Sequence, residues 1–161
     1  MNLGAWLATF RDLHERAKAG KLSQKEAVEY RMAREELARA MLAAHRLSLK
    51  PGETPRAALR VARALQVDLD WTVGGTRAMT IDLSAGGIAV LLDKAPPQGE
   101  ELKYTLRLGG GVTVAGLARV VNVRLQPNNV RVALAFQDVS EADREKLEVE
   151  VFDTVLGQLK G

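Results

Sequence analysis

Apolar residues in the first third of the chain recur at helical spacing. From Leu3 they return every three or four residues, as on one face of a helix, and Gly20 offers a left-handed stop. Ser23 and Glu26 then form a capping-box sequence, which predicts the start of a second helix with its own apolar stripe. Because the link between them is short, we predict an antiparallel helical hairpin over residues 1–47.

The pattern changes after this hairpin. Residues 48–55 contain Pro51 and Pro55 without an apolar period, which is typical of a linker. Beyond it, apolar and polar residues alternate, and turn residues, beginning with a predicted turn at Gly74 and Gly75, separate the runs. The predicted strands are 67–71, 78–83, 87–92, 101–108, 112–124 and 130–136.

Short strands without helices between them favour an antiparallel barrel or sandwich over residues 56–161. Ser140 is placed to cap a final helix with a broad apolar face. That face consists of Leu147, Val151, Phe152, Val155, Leu156 and Leu159. We expect the helix to cover an open side or end of the barrel, which makes the fold mainly β with helical additions.

Composition narrows the class of protein. The 161 residues are 47% hydrophobic and 27% charged, which suits one packed domain with a small appendage. The absence of cysteine excludes disulfides, thiolate metal sites and cysteine nucleophiles. The N-terminal segment lacks signal-peptide features, and no apolar run reaches membrane-spanning length, so we expect a cytoplasmic protein without membrane insertion.

Charge distribution argues against a nucleic-acid partner. Residues 1–50 hold 10 basic and 6 acidic side chains, and residues 51–161 hold 13 and 14, which together give the formal charge of +3. Since the basic excess is interleaved with acids on helices, it is typical of a solvated helix face. The predicted strands also have few aromatic residues for stacking bases, so we predict no nucleic-acid binding.

Three arginines precede the predicted strands. Arg56 and Arg60 are four residues apart, and Arg63 follows. A guanidinium group can bind a phosphate or the O6/N7 edge of guanine through two hydrogen bonds and can stack on a purine. Taken alone, such a pair is also expected by chance in an arginine-rich chain.

A second informative segment, DLSAGG at 82–87, comes after the first predicted strand, 67–71. Asp82 can accept hydrogen bonds from guanine or orient an arginine, Ser84 can bind a phosphate or the backbone, and Gly86 and Gly87 allow close approach of a ligand. Alone, the segment is better explained as a turn whose side chains cap the backbone and whose glycines adopt left-handed conformations.

In this order and spacing, the two segments resemble the signature of the PilZ family. That signature is RxxxR in a loop, then a strand, then [D/N]xSxxG. Here the arginines are Arg56 and Arg60, and the second motif consists of Asp82, Ser84 and Gly87. The resemblance continues to the end of the chain through the segments GIAVLL, VTVAGLARVVNV and VRVALAFQDVS.

The resemblance implies a six-stranded antiparallel β-barrel and cyclic di-GMP as ligand. It implies that Arg56 and Arg60 clamp phosphate and guanine, while the residues of the second motif contact the other side of the ligand. The predicted ligand-binding set is Arg56, Arg60, Arg63, Asp82, Ser84, Gly86 and Gly87. Because the arginines follow an irregular linker, we expect ligand binding to order that segment and to reposition the hairpin.

The resulting hypothesis is a cyclic di-GMP receptor that responds by changing its interaction with a protein target. The alternative is a PilZ-like structural adaptor that binds protein partners without nucleotide. We predict no enzyme activity and no cofactor. The hairpin lies outside the family core, and its stripes predict either packing on its own barrel and C-terminal helix or, with slight preference, a homodimer.

The remaining polar residues do not form a catalytic set. His14 and His45 lack a third ligand at metal spacing, so solvated or interfacial imidazoles are expected. Asp68 and Asp70 alternate on one strand face and are expected to be exposed carboxylates. Three glycines at 109–111 lack the lysine of a phosphate loop and predict a hairpin turn instead.

Overall fold

The computed structural model describes residues 2–52 and 59–159, which divide into two compact units. One unit contains residues 2–52 and Leu59 together with 152–159, and the other is Arg60–Val151. This division differs from the predicted boundaries, because the end of the C-terminal helix belongs with the N-terminal helices. None of the described helices contains an apolar stretch long enough to span a bilayer.

The helical unit confirms the two predicted N-terminal helices. Helix α1 is Leu3–Lys18 and helix α2 is Gln24–Leu47. Gly20 ends α1 in a left-handed conformation (φ +69°), and both hydrogen bonds of the Ser23 capping box are present at the start of α2. Helix α3, Glu141–Gln158, contributes its residues from position 152 onward to this unit.

Aromatic side chains form the core of the helical unit. Phe10 stacks on Tyr30 with ring centroids 5.7 Å apart, and Phe152 meets Phe10 edge-on at 6.2 Å. Part of the α1 stripe is therefore covered by the chain's own helices, as one of the two predicted arrangements requires. A homodimer through the hairpin stays a prediction.

His14 is buried in this core, which corrects the expectation of a solvated or interfacial ring. Its side chain is 1% exposed, its Nδ1 lies 2.7 Å from the Tyr30 hydroxyl, and its Nε2 lies 3.1 Å from Asp153 Oδ1. A neutral ring with its proton on Nε2 donates to Asp153 and accepts from Tyr30. The apolar spacing of α1 includes position 14, but a single histidine at that position gave no sign of these partners.

The buried imidazole predicts that stability depends on pH. Burial lowers the pKa of His14 below its ordinary 6.5, although Asp153 acts in the opposite direction. As the pH falls toward and below 6.5, the imidazole of the unfolded chain binds a proton more readily than the buried imidazole of the folded chain. The free energy of unfolding therefore decreases as the pH decreases. Thermal melts from about pH 8 to about pH 5 should show a larger loss for the wild type than for His14→Gln. Parallel curves for the two proteins would contradict this role of His14.

The second unit is a closed antiparallel barrel of six strands. Hydrogen bonds join the strands in the order β3-β2-β5-β6-β7-β4, and β4 pairs again with β3. The strands are β2 (Gln66–Trp71), β3 (Gly74–Ser84), β4 (Gly87–Leu92), β5 (Glu101–Arg107), β6 (Thr113–Leu125) and β7 (Val130–Gln137). The predicted six-stranded barrel is confirmed, with an additional short strand β1, Val61–Ala62, paired to β3.

Alternating apolar residues fill the barrel interior, as the period of two predicts. The fully buried members include Val67, Leu69, Leu83, Val90, Leu102, Leu106, Val114, Val120 and Val132. Leu147 and Val151 of α3 are also buried.

Of two predicted turns, the structure contradicts one and confirms the other. The predicted turn at Gly74 and Gly75 is wrong, because Thr72 and Val73 connect β2 to β3. Gly74 instead pairs with Trp71, whose indole would lie 3.2 Å from any added Cβ. The predicted turn at 109–111 is confirmed as a short 3₁₀ turn between β5 and β6.

Candidate functional site

A cleft of about 460 Å³ lies on the outer face of the barrel. Its floor is built from small residues on two neighbouring strands. Gly87 of β4 pairs with Ala135 of β7, and Ala89 pairs with Ala133. All four line the cleft, and because none has a side chain beyond Cβ, they leave a shallow floor on which a planar group can lie.

The walls of the cleft come from the strands on either side of this floor. On one side, β3 places Asp82 opposite Ala89 and Ser84 opposite Gly87. On the other side, β6 contributes Asn122 and Arg124. From β3 to β6 there are three strand spacings, or about 14 Å, so the two walls can contact opposite ends of a medium-sized ligand.

Register shifts in β3 and β6 turn these wall residues outward. Thr80 and Val120 point inward and are 1% exposed, and a strict period of two would also point Asp82 and Asn122 inward. The pairing shifts between Thr80 and Asp82 and again between Val120 and Asn122. Each shift accommodates an extra residue and reverses the facing of the positions that follow.

Strand β1 anchors the segment that carries Arg60. Val61 pairs with Leu83 and Ala62 pairs with Asp82, so Arg60, which lines the cleft, lies just outside a strand pair. The Thr80 hydroxyl also donates to the Arg63 carbonyl at 2.5 Å. The chain from position 61 onward is therefore held by backbone pairing, in contrast to the irregular segment that was expected there.

Of the other two predicted arginines, Arg63 is described by the structure and does not line the cleft. Arg63 lies 3.6 Å from the buried Glu150 carboxylate of α3, which also accepts from the Gly109 amide at 2.5 Å. The structure thus places Arg63 in a contact between β1 and α3, although a ligand-binding role was predicted. Arg56 lies outside the described residues.

In the second predicted motif, Ser84 and Gly87 have structural roles as well as positions in the cleft lining. The Ser84 hydroxyl accepts from the Gly86 amide at 3.2 Å and so caps the turn between β3 and β4. An added Cβ at Gly87 would lie 2.1 Å from the Leu134 carbonyl oxygen, so this glycine permits the close pairing of β4 with β7. Neither glycine has the left-handed backbone that a simple turn would predict.

Comparison with known families matches the PilZ domain to residues 54–153. This chain belongs to the PilZ domain family. The match includes the barrel unit and both sequence motifs. No curated protein matches the chain.

Solved structures similar to this PilZ protein share its fold. The Bacillus subtilis inhibitor of motility (MotI/DgrA) has a TM-score of 0.61 at 22% identity, with 70% of this chain and 59% of that chain covered. YcgR from Escherichia coli, in complex with c-di-GMP, has a TM-score of 0.57 at 18% identity, covering 64% and 47%. The MrkH–c-di-GMP complex of K. pneumonia has a TM-score of 0.57 at 18% identity, covering 66% and 55%. The chain thus matches less than two thirds of each of these proteins.

The PilZ cleft has a net positive charge. Its charged lining residues are Arg60, Arg124, Arg131 and Asp82, which sum to +2. Arg131 donates to Asp82 at 2.6 Å, and both side chains are partly buried, at 32% and 25% exposed. A cleft of this charge with guanidinium donors favours an anionic ligand.

Sequence reasoning missed Arg124 and Arg131. Alternation in β7 places Arg131 on the same face as Ala133, but only the pairing of β7 with β4 and β6 shows that this face belongs to the cleft. Arg124 faces the cleft because of the register shift in β6.

One of the remaining candidate residues, Asp68, forms ion pairs with two arginines of the barrel. Asp68, predicted to be an exposed carboxylate, accepts from Arg107 and Arg77, and these hydrogen bonds lower its pKa. Among residues 2–52 and 59–159, no three histidine, aspartate or glutamate side chains gather as a metal site would require.

Proposed function

We propose that this protein is a receptor for cyclic di-GMP. The observation that carries the proposal is the convergence of Arg60 with Asp82 and Ser84 in one positively charged cleft. Residues from two separate sequence motifs meet there, although the whole of β2 lies between them. The complexes of YcgR and MrkH with c-di-GMP, on the same fold, support the choice of ligand.

The chemistry of the cleft suits a guanine dinucleotide. Arg60 has no acidic partner in the described ranges 2–52 and 59–159, so its guanidinium group is available for a phosphate or a guanine edge. Asp82 can accept from guanine N–H groups, and Ser84 can donate its hydroxyl hydrogen to a phosphate. The floor of glycine and alanine leaves room for a purine ring.

Each predicted ligand residue has a role in this proposal. Arg56 joins Arg60 as the second guanidinium group of the RxxxR motif. Gly86 and Gly87 let the ligand approach the backbone of the β3–β4 turn. Arg63 acts from outside the cleft by holding β1 in place.

Binding serves signalling in this proposal, without catalysis and without a cofactor. Ligand occupancy changes the position of the segment that contains Arg60 and thereby the interaction of the protein with a protein target. The N-terminal hairpin, residues 1–47, is the proposed interaction element, either toward that target or toward a second copy of the chain. The proposed location is the cytoplasm.

Calorimetric titration with cyclic di-GMP tests the proposal, with GTP and cyclic GMP as controls. We expect saturable binding to the wild type and at least about tenfold weaker binding to Arg60→Ala, because a charge-assisted hydrogen bond contributes about 1.5–3 kcal/mol. Arg144→Ala is the matched control, since Arg144 is exposed on α3 and does not line the cleft.

The two possible negative results have different meanings. A folded wild type that ignores cyclic di-GMP would overturn the receptor proposal and favour the structural adaptor. Equal weakening by Arg60→Ala and Arg144→Ala would indicate a general charge effect and would overturn the role of Arg60.

A further inference from the structure

We propose that Arg124 and Arg131 form a second anion-binding site, on the side of the cleft away from Arg60. This inference rests on the proposed function and names the chemistry of that site more closely. A cyclic dinucleotide carries two phosphates on opposite sides of its ring. The β6–β7 pair would receive one phosphate, while Arg60 receives the other.

The geometry brings the two guanidinium groups together. Arg124 of β6 and Arg131 of β7 are direct cross-strand partners, and both line the cleft. Directly opposite residues of an antiparallel pair have Cβ atoms about 5 Å apart. Two long side chains from such positions can converge on one anionic group.

Without a ligand, the positive charges of Arg124 and Arg131 are only partly neutralised by neighbouring carboxylates. Asp82 pairs with Arg131, but Arg124 has no carboxylate partner within the described residues. Like charges placed directly opposite each other destabilise an antiparallel pair. A phosphate between the two guanidinium groups would remove this repulsion and add charge-assisted hydrogen bonds.

The two cationic sites are separated as a two-phosphate ligand requires. Arg60 precedes β1, which pairs with β3 at Val61 and Leu83, and Arg124 lies on β6 across the floor. Between β3 and β6 lies the row formed by Asp82, Ala89, Ala133 and Asn122, in which small side chains occupy the two central positions. A ligand that reached both sites would therefore lie directly on this floor.

Arg124→Gln tests the inference, with Arg144→Gln as a control of equal charge change. Titration with cyclic di-GMP should show about fivefold weaker binding for Arg124→Gln, or about 1 kcal/mol, and a weaker dependence of affinity on salt than in the wild type. The melting temperature of the free Arg124→Gln protein should stay equal or rise, because a like-charge contact is removed. Arg144→Gln should bind as the wild type does.

The outcomes separate this inference from the proposed function. If the wild type binds cyclic di-GMP and Arg124→Gln binds with unchanged affinity and salt dependence, the second site is wrong and the receptor proposal stands. If Arg124→Gln loses affinity together with thermal stability, Arg124 acts structurally and the inference is overturned. If the folded wild type does not bind the dinucleotide, both are overturned.

Discussion

Gly87→Ala is expected to destabilise the barrel by about 3 kcal/mol, whereas Gly86→Ala should change its stability by no more than about 0.5 kcal/mol. A Cβ at Gly87 would lie 2.1 Å from the Leu134 carbonyl oxygen, and because the obstacle is backbone, β4 and β7 would have to separate. A Cβ at Gly86 would meet only the Ser84 hydroxyl, at 3.9 Å. Chemical denaturation of the two variants measures the difference.

This matched pair distinguishes two reasons for glycine in the second PilZ motif. If Gly87 serves only to admit ligand, the two variants should be equally stable, and that result would contradict the packing argument. If Gly87→Ala is strongly destabilised while Gly86→Ala keeps full stability, then the glycine at 87 is required first for strand pairing. Loss of binding by Gly87→Ala would then report a disrupted barrel.

Ala133→Leu should weaken cyclic di-GMP binding by roughly thirtyfold while the barrel stays folded. Ala133 lies in the centre of the cleft floor, and its side chain faces outward between those of Ala89 and Asn122. A leucine there would occupy the space of the ligand, and overpacking of this kind costs about 2 kcal/mol. Since the position faces outward, the folded protein can accept the larger side chain.

Ala115→Leu is the matched control, because Ala115 is an exposed alanine of β6 outside the cleft lining. It should bind cyclic di-GMP like the wild type. Calorimetry gives the affinities, and circular dichroism checks that both variants keep the barrel. Unchanged binding by Ala133→Leu would show that the ligand does not use this floor.

Local sequence patterns predicted most of the elements. Helix α2 begins at the Ser23 capping box, and the alternation of apolar residues located the six barrel strands. These signals depend on neighbours a few residues apart, so they can be read from one sequence. The extra strand β1 has only two residues, which is too short for any period to appear.

The residues that sequence reasoning missed depend on long-range pairing. Arg131 reaches Asp82 across 49 positions of the chain, and Arg124 joins it only through the β6–β7 register. The burial of His14 was equally difficult to predict from the sequence, because its partners Tyr30 and Asp153 come from two other helices. Chain spacing cannot show which distant strand or helix is the neighbour, so these partners needed the structure.

The two register shifts let the cleft tolerate a change in chain length that would elsewhere reverse the facing of a strand. Because each shift contains one extra residue, at Ile81 and at Val121, the loss of that residue would leave regular pairing in which the downstream positions keep their partners and their facing. Asp82 would then follow Thr80 directly and would still point outward, opposite Ala89. A gap of one residue at either place in an aligned relative would therefore be compatible with an intact cleft.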